Sequence, residues 1–266
     1  MPSGENEQTA SATLTPALPD PSLIRESVEW WREASAHEGR LAAAGRLLQI
    51  LREFLRDSAP ARRRQRYGDV DYDWDHGADT TSATVGWRAR LMGLLHSPYQ
   101  PTDPALFREM MGALAIDFRE FVFIDIGSGK GRALLMAAEY RFRRILGVEL
   151  LPGLHRIAQR NIARCRKETQ CGVVIESICM DARDFVFSPD PSVIYLFNPL
   201  PETGLRRLLD NLERSQQDHP RPTYVLYHNP LLESVVRARQ AFRRIRWTHQ
   251  YILYEYFQRE LRASDQ

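Results

Sequence analysis

The stretch that most constrains the fold runs from Phe121 to Gly131 and reads Phe-Val-Phe-Ile-Asp-Ile-Gly-Ser-Gly-Lys-Gly. Its first six residues are apolar except for Asp125, which is typical of a parallel strand covered on both faces. The three glycines that follow allow a tight turn and let a ligand approach bare backbone N–H groups. Strong helix formers begin at Arg132, so the turn lies at the N-terminus of a helix. The stretch therefore predicts a strand–turn–helix unit of an α/β domain.

The spacing of these glycines narrows what the turn can bind. A dinucleotide fingerprint needs glycine or alanine where this chain has Arg132, and a P-loop needs serine or threonine after its lysine, whereas Lys130 is followed by Gly131. Both phosphate-binding interpretations are therefore weakened. What remains, Asp-x-Gly-x-Gly-x-Gly from Asp125 onward, resembles motif I of class I S-adenosylmethionine (SAM) dependent methyltransferases. A plain tight turn, as in any α/β protein, stays open as the alternative.

Length, composition and charge limit the class of protein and its partners. The chain has 266 residues, of which 43% are apolar, and a net charge of +2, which fits one sizeable α/β domain with an N-terminal extension. Acidic residues nearly balance the basic ones, so a nucleic-acid partner is not expected. The cysteines lack a Cys-x-x-Cys spacing, so no metal site is expected. No apolar run approaches the roughly 18 residues of a membrane span, and we expect a cytoplasmic protein with no membrane partner.

Four segments are predicted along the chain. Residues 1–20 are rich in Ser, Thr, Pro and Glu, which predicts a disordered tail. Residues 21–66 predict two helices, broken near residues 37–39, and a basic linker. Residues 67–104 are dense in Asp, Gly, Tyr, Trp and Thr, and we interpret them as a lid over the active site, since long irregular loops are usually functional or disordered. Residues 105–266 hold the domain whose resemblance to methyltransferases implies SAM binding.

The sequence Tyr-Gln-Pro-Thr-Asp-Pro at residues 99–104 precedes a predicted helix. Either Thr102 or Asp103 can be its N-cap, with Pro104 at the first helical position. The Tyr-x-Pro-Thr element also resembles the segment that closes over SAM in some protein-lysine methyltransferases. That resemblance implies that the Thr102 hydroxyl approaches the cofactor carboxylate.

Acidic residues follow the next two predicted strands. The strand at residues 144–149 ends in Glu149, and a carboxylate at this end of a second strand can accept both hydroxyls of a ribose. Asp181 follows the strand predicted at 173–178, where an ordinary helix cap is the alternative interpretation. In the methyltransferases that the chain resembles, the acid at this point accepts from the adenine amino group. The N–H of the next residue, here Ala182, then faces the ring.

The same resemblance implies how the glycine turn contacts the cofactor. Its backbone lies against the methionine half of the cofactor, and the acid before it, Asp125, orients the turn and the cofactor ammonium group. The cofactor-binding residues that the resemblance implies are Thr102, Asp125, Gly127, Ser128, Gly129, Gly131, Glu149, Asp181 and Ala182.

A fourth predicted strand, at residues 192–198, delivers Asn-Pro-Leu-Pro at 198–201 to the same carboxyl edge of the sheet. This segment resembles the Asn-Pro-Pro-aromatic motif of amino-group methyltransferases, in which the Asn side chain and a backbone carbonyl accept hydrogens from the target amine. The match is partial, because Leu200 and Pro201 stand where the motif has proline and an aromatic residue. It implies Asn198 as the catalytic residue, with an ordinary Asn-Pro turn as the alternative.

A further strand is predicted at residues 223–227, and at its end a structurally satisfied His228 is favoured over a catalytic base. Two alternating runs, at 244–249 and 251–257, predict a C-terminal antiparallel hairpin.

We therefore predict an α/β fold: a Rossmann-like class I methyltransferase sheet with a C-terminal antiparallel hairpin and an N-terminal helical extension. By motif it is closest to DOT1-like and related protein-lysine methyltransferases. The resemblance implies methyl transfer from SAM to an amine nitrogen of a protein lysine or a small molecule. A SAM-binding protein without catalysis and, as a weaker alternative, a nicotinamide-dependent oxidoreductase stay open.

Overall fold

A computed structural model describes residues 23–57, 72–73, 77–80, 100–168 and 172–257. The predicted tail at 1–20, the basic linker around residues 62–66 and most of the predicted lid at 67–104 lie outside the described residues. Among the described helices, none is long and apolar enough to cross a membrane.

Two helices precede the α/β domain, α1 at Leu23–Glu38 and α2 at Arg40–Asp57. Between them Gly39 has a φ of 84°, in the left-handed region that glycine adopts without a steric penalty. The N–H of Gly39 still donates to the carbonyl of Ser35 at 3.2 Å, which closes the last turn of α1. The break predicted near residues 37–39 therefore lies where α1 ends and α2 begins.

A mixed sheet forms the centre of the domain. Its strands, in chain order, are β1 Val122–Ile126, β2 Arg144–Glu149, β3 Ile175–Cys179, β4 Ser192–Phe197, β5 Thr223–His228, β6 Phe242–Trp247 and β7 Tyr251–Tyr256. The seven strands are arranged in the order β3-β2-β1-β4-β5-β7-β6. Strands β1 to β5 are parallel, whereas β7 is antiparallel to both β5 and β6. The predicted Rossmann-like methyltransferase sheet with its antiparallel hairpin is confirmed as a fold.

Helices cover both faces of this sheet. They are α3 Pro104–Gly112, α4 Arg132–Ala137, α5 Pro152–Glu168, α6 Glu202–Asp218 and α7 Glu233–Arg237. One apolar cluster joins α3, α4 and α5 to one face, and a second joins α6 and α7 to the other. On β1 the side chains alternate between them, with Phe123 in the first cluster and Val122 and Ile124 in the second. The continuous apolar run of β1 thus reflects burial on both sides.

The position of β1 decides where a site can form. It lies between β2 and β4, and Asp125 is in register with Gly147 on one side and Tyr195 on the other. Since β1 to β4 are parallel, the loops that follow them begin at one edge of the sheet. This carboxyl edge is where open α/β sheets bind ligands.

Candidate functional site

A cavity of about 220 Å³ lies at the carboxyl ends of β1, β2 and β4. Its wall is built by the loops that follow β1 to β5 and by the segment that precedes α3. The predicted site residues on this wall are Thr102, Asp125, Gly127, Ser128, Gly129, Glu149, Asp181, Ala182 and Asn198. Side chains far apart in the sequence are therefore brought together around one space.

The turn after β1 requires glycine for steric reasons. Gly127 and Gly129 have φ values of 79° and 56°, in the left-handed region. A Cβ added to Gly127 would lie 2.5 Å from the Cβ of Pro199, closer than two carbon atoms can approach. The N–H groups of Gly127 and Ser128 both donate to the carbonyl of Val148, at 2.8 and 3.0 Å. The turn is thus hydrogen-bonded to β2 and packed against the turn that follows β4.

Gly131 has a different place from the one that the motif implied. It is not among the described residues that line the cavity; it is the N-cap of α4, with a φ of 84°. A Cβ there would lie 3.2 Å from the Cβ of Ala158 on α5, so Gly131 shapes the turn and lets two helices approach. The sequence analysis also missed Gly147 on β2, where a Cβ would lie 2.7 Å from the Ser128 hydroxyl oxygen.

Glu149 joins β2 to the glycine turn. Its carboxylate is 6% exposed, and Oε2 accepts the N–H of Gly129 while Oε1 accepts the N–H of Leu151, each at 2.8 Å. Burial raises the pKa of Glu149, and the backbone hydrogen bonds oppose that rise. A carboxylate has about four acceptor sites, and three backbone N–H groups, those of Gly129, Leu150 and Leu151, act on this one, so Glu149 retains the capacity to accept from a ligand hydroxyl.

Asp125 is a buried acid with a raised pKa. It is 4% exposed, and burial, with a smaller contribution from the charge of Glu149, raises its pKa to about 8. No hydrogen bond from the described residues offsets the loss of hydration. A cationic group in the cavity would stabilise the ionised carboxylate, so the site fits a ligand with a positive charge beside the glycine turn.

Asp181 combines a structural role with a place on the cavity wall. Its Oδ1 accepts the N–H of Arg183 at 2.8 Å and caps the short 3₁₀ turn Ala182–Asp184, as the alternative interpretation of this residue predicted. Its Oδ2 accepts from the Arg183 guanidinium at 2.9 and 2.6 Å. Asp181 and Ala182 both face the cavity beyond β3, two strands away from Asp125.

Two Asn-Pro turns lie side by side after β4 and β5. Asn198 and Asn229 have left-handed φ values of 45° and 47°, a conformation that Asn tolerates better than most residues. The Asn198 side chain donates from Nδ2 to the carbonyl of Asn229, and its Oδ1 accepts the N–H of Leu231 at 3.3 Å. Asn198 is thus on the wall, with an amide that also holds the neighbouring turn. Asn229 and Leu231 line the cavity too, and the repeated Asn-Pro pair was the signal that sequence reasoning left unused.

Thr102 has a polar partner that the sequence did not indicate. Asp103 caps α3 by accepting the N–H of Leu106 at 2.8 Å, so the N-cap is Asp103 and not Thr102. The Thr102 hydroxyl lies 2.8 Å from the hydroxyl of Tyr195, which in turn lies 2.7 Å from Nδ1 of His228. His228 is therefore a buried, hydrogen-bonded strand-end residue, which is the interpretation that the sequence favoured.

The charged side chains of the glycine turn contact residues 72–73 and 77–80. Lys130, fully buried, pairs with Asp79 at 2.7 Å. Arg132, 2% exposed, donates from Nε to the Thr80 hydroxyl at 2.8 Å and lies 4.4 Å over the ring of Tyr72. The described part of the predicted lid is therefore bound to the glycine turn.

Asn161 on α5 strengthens this contact. Its side-chain amide accepts the N–H of Asp79 at 3.0 Å and donates to the carbonyls of Asp79 and Lys130 at 3.0 and 2.9 Å.

In the described parts of the chain, no group of three His, Cys, Asp or Glu side chains is placed to hold a metal ion.

Comparison with known proteins yields similarity to solved structures, whereas no family model and no curated protein matches the chain. An RNA methyltransferase from Salinibacter ruber, in complex with S-adenosyl-L-homocysteine, is 21% identical with a TM-score of 0.41 over 62% of this chain and 98% of that one. A ribosomal protein L11 methylase from Lactobacillus delbrueckii subsp. bulgaricus is 14% identical, with a TM-score of 0.40 over 57% of this chain and 74% of that one.

A TehB-like SAM-dependent methyltransferase from Corynebacterium glutamicum is 14% identical, with a TM-score of 0.41 over 76% of this chain and all of the other (100%). Likeness of this degree carries no conclusion about activity or acceptor.

Proposed function

We propose that this protein is a class I SAM-dependent methyltransferase that methylates an amine nitrogen. The observation that carries the proposal is the placement of Asp125, Glu149 and Asp181 at the carboxyl ends of three adjacent strands, β1, β2 and β3, around one cavity. A ligand with a cationic amino-acid group, a ribose and a base with an amino group presents donors in that order. SAM has these three parts.

Each part of SAM has a residue suited to it. Asp125, whose carboxyl has no cationic partner among the described residues, would hold the ammonium group. Glu149 would accept the ribose hydroxyls, and Asp181 the adenine amino group, with the N–H of Ala182 facing the ring. Thr102, whose hydroxyl is hydrogen-bonded to Tyr195 on β4, would approach the cofactor carboxylate. The left-handed glycine turn leaves room for the methionine half.

The proposed chemistry asks little of the protein beyond alignment. SAM supplies a methyl group on a sulfonium, already a strong electrophile, so the site has to orient the acceptor and exclude water. Asn198 lies at the end of β4, beside the strand that carries the glycine turn. Its Oδ1 and the Asn229 carbonyl are acceptors for the hydrogens of an amine. Asn198 cannot take the proton that the nitrogen must lose, and we assign that proton to water.

A second candidate function, SAM binding without catalysis, is favoured by one observation. Both ends of the Asn198 amide are hydrogen-bonded inside the protein, to Asn229 and Leu231. In that case the partial Asn-Pro motif shapes the wall without contacting an acceptor. A nicotinamide oxidoreductase is disfavoured by Arg132 in the glycine motif and by the antiparallel β7 beside β5.

The proposal also concerns the class of molecule that accepts the methyl group. The motifs resemble those of DOT1-like and related protein-lysine methyltransferases, which favours a protein lysine or a small-molecule amine. Two of the similar solved structures are named for RNA and for ribosomal protein L11. Nucleic acid, which the composition did not favour, therefore belongs among the acceptors to be tested.

The test is to incubate the protein with methyl-tritiated SAM and a lysate separated into protein, nucleic acid and small molecules. Label in the protein or small-molecule fraction, absent with boiled protein, is the expected result. Label confined to nucleic acid would replace the proposed acceptor class. A protein that binds S-adenosylhomocysteine and yet labels none of the fractions would support the non-catalytic candidate instead.

A further inference from the structure

A chain of three buried polar side chains runs from the cavity wall into the sheet. The Thr102 hydroxyl, the Tyr195 hydroxyl and Nδ1 of His228 are linked at 2.8 and 2.7 Å. Their exposed fractions are 4%, 1% and 7%. They belong to three separate elements: the segment before α3, strand β4 and the end of strand β5. Hydrogen bonds in such dry surroundings hold their partners in fixed places.

Aromatic packing fixes the two rings of this chain. The ring of Tyr195 lies 5.9 Å from that of Phe107, edge to face, and is stacked on Phe123 at 6.1 Å. The imidazole of His228 is stacked on Phe197 at 3.8 Å. Rings held in this way can hold a hydroxyl at the cavity wall with little freedom to rotate.

The position of Thr102 indicates which part of a ligand it serves. Tyr195 on β4 is in register with Asp125 on β1, whereas Glu149 is on β2, on the opposite side of β1 from Tyr195. The Arg132 guanidinium donates to the Thr102 carbonyl at 3.4 Å, which brings a positive charge to the same end of the cavity. A hydroxyl beside a guanidinium suits the carboxylate of an amino acid.

We infer that Tyr195 and His228 are positioning residues that hold the Thr102 hydroxyl against the amino-acid end of the bound cofactor. The inference rests on the proposed function, since it takes SAM as the ligand. It adds that affinity for the amino-acid group depends on two residues that act through Thr102. Affinity for the adenosine part is independent of them, because Glu149 and Asp181 lie at the carboxyl ends of β2 and β3, on the other side of β1 from Tyr195.

The test compares two ligands that differ at this end. S-adenosylhomocysteine carries the amino-acid group, and 5′-methylthioadenosine lacks it. In calorimetric titrations, Tyr195→Phe is expected to weaken S-adenosylhomocysteine roughly tenfold and to leave 5′-methylthioadenosine within about twofold of the unmodified protein. The matched control is Tyr254→Phe on β7, since the Tyr254 hydroxyl is equally buried and has no hydrogen-bond partner among the described residues. That control should change neither affinity.

Two further variants keep the inference testable if Tyr195→Phe folds poorly. Thr102→Val should show the same selective loss, and adding Tyr195→Phe to it should cause no further loss, because the phenol acts through Thr102. His228→Asn, which places an amide near the position of Nδ1, should retain more affinity than His228→Leu.

The outcomes separate this inference from the proposed function. Equal losses for both ligands in Tyr195→Phe and Thr102→Val, or no loss for either, would overturn the positioning role while leaving SAM binding intact. If the unmodified protein binds neither ligand, the proposed function itself is wrong, and the inference is overturned with it.

Discussion

Glu149 and Gly129 hold each other: the carboxylate at the end of β2 accepts the N–H of the glycine turn at 2.8 Å. The second oxygen of the same carboxylate accepts the N–H of Leu151. A ribose bound at Glu149 would therefore meet a turn whose position Glu149 itself fixes. Removing this side chain should affect the ligand contact and the turn together.

Glu149→Ala is expected to lose about 1.5–3 kcal/mol of S-adenosylhomocysteine binding, the scale of hydrogen bonds to a charged group. That is a loss of about 10- to 150-fold in affinity. Glu149→Gln keeps one acceptor oxygen, so its affinity should lie between those of Glu149→Ala and the unmodified protein. Calorimetric titration measures the effect, with the exposed Glu202→Gln as control. An affinity of Glu149→Ala within about threefold of the unmodified protein would show that the ribose does not bind here.

Asn198→Ala should slow methyl transfer by on the order of 10²-fold or more while changing SAM affinity little, because an aligned acceptor contact acts mainly in the transition state. Asn198→Gly is the matched variant, since glycine keeps the left-handed backbone at φ 45° without the amide. Both variants should lose rate alike in single-turnover assays. Transfer by Asn198→Ala within about threefold of the unmodified rate would remove Asn198 from the catalytic role.

The raised pKa of Asp125 makes stability depend on pH. Its pKa is about 8 in the folded protein against an ordinary value of 3.8, so the folded state holds a proton that the unfolded chain releases. The associated stability is fully present below an unfolded-state pKa of 3.8 and is lost progressively as the pH rises to about 8. The melting temperature of the ligand-free protein should therefore fall between about pH 4 and pH 8 and level off above that range. Burial also raises the pKa of Glu149, which adds an effect of the same sign.

Asp125→Asn isolates the Asp125 contribution, because the amide does not titrate. In this variant the melting temperature should fall less over the same pH range. Parallel curves for Asp125→Asn and the unmodified protein, followed by circular dichroism, would contradict the assignment.

The ion pair between Lys130 and Asp79 should contribute to stability beyond the usual worth of a surface pair. Lys130 is fully buried and Asp79 is 41% exposed, so Asp79→Asn is expected to cost roughly 1–3 kcal/mol, between the surface and buried cases. In a Lys130→Met background that cost should largely disappear. Urea denaturation supplies the four free energies of unfolding. The same cost in both backgrounds would mean that the pair does not couple the two residues.

The central features of the fold could be predicted because they are local in the sequence. The apolar run of β1, the glycines after it and the acid at the end of β2 lie within one continuous stretch, and each has a periodicity or spacing of its own. The hairpin of β6 and β7 is likewise encoded by alternation over adjacent residues.

The contacts that sequence reasoning missed join residues far apart in the chain. Thr102 and Tyr195 are separated by 93 positions, and Lys130 and Asp79 by 51. Such pairs depend on strand order and on how a loop folds back, and no periodicity within a short window encodes them. The N-cap of α3 illustrates the same limit. By sequence, Thr102 and Asp103 are both suitable N-cap residues, and only the fold shows that Asp103 is the cap.

The most direct test of the SAM site is a pair of calorimetric titrations of the unmodified protein, one with S-adenosylhomocysteine and one with NAD. Both ligands carry a ribose and an adenine, but S-adenosylhomocysteine alone has the amino-acid group that Asp125 and Thr102 would bind. Saturable binding of S-adenosylhomocysteine with one site, and no binding of NAD under the same conditions, is the predicted result. Binding of NAD with equal or greater affinity, or no binding of S-adenosylhomocysteine, would contradict it.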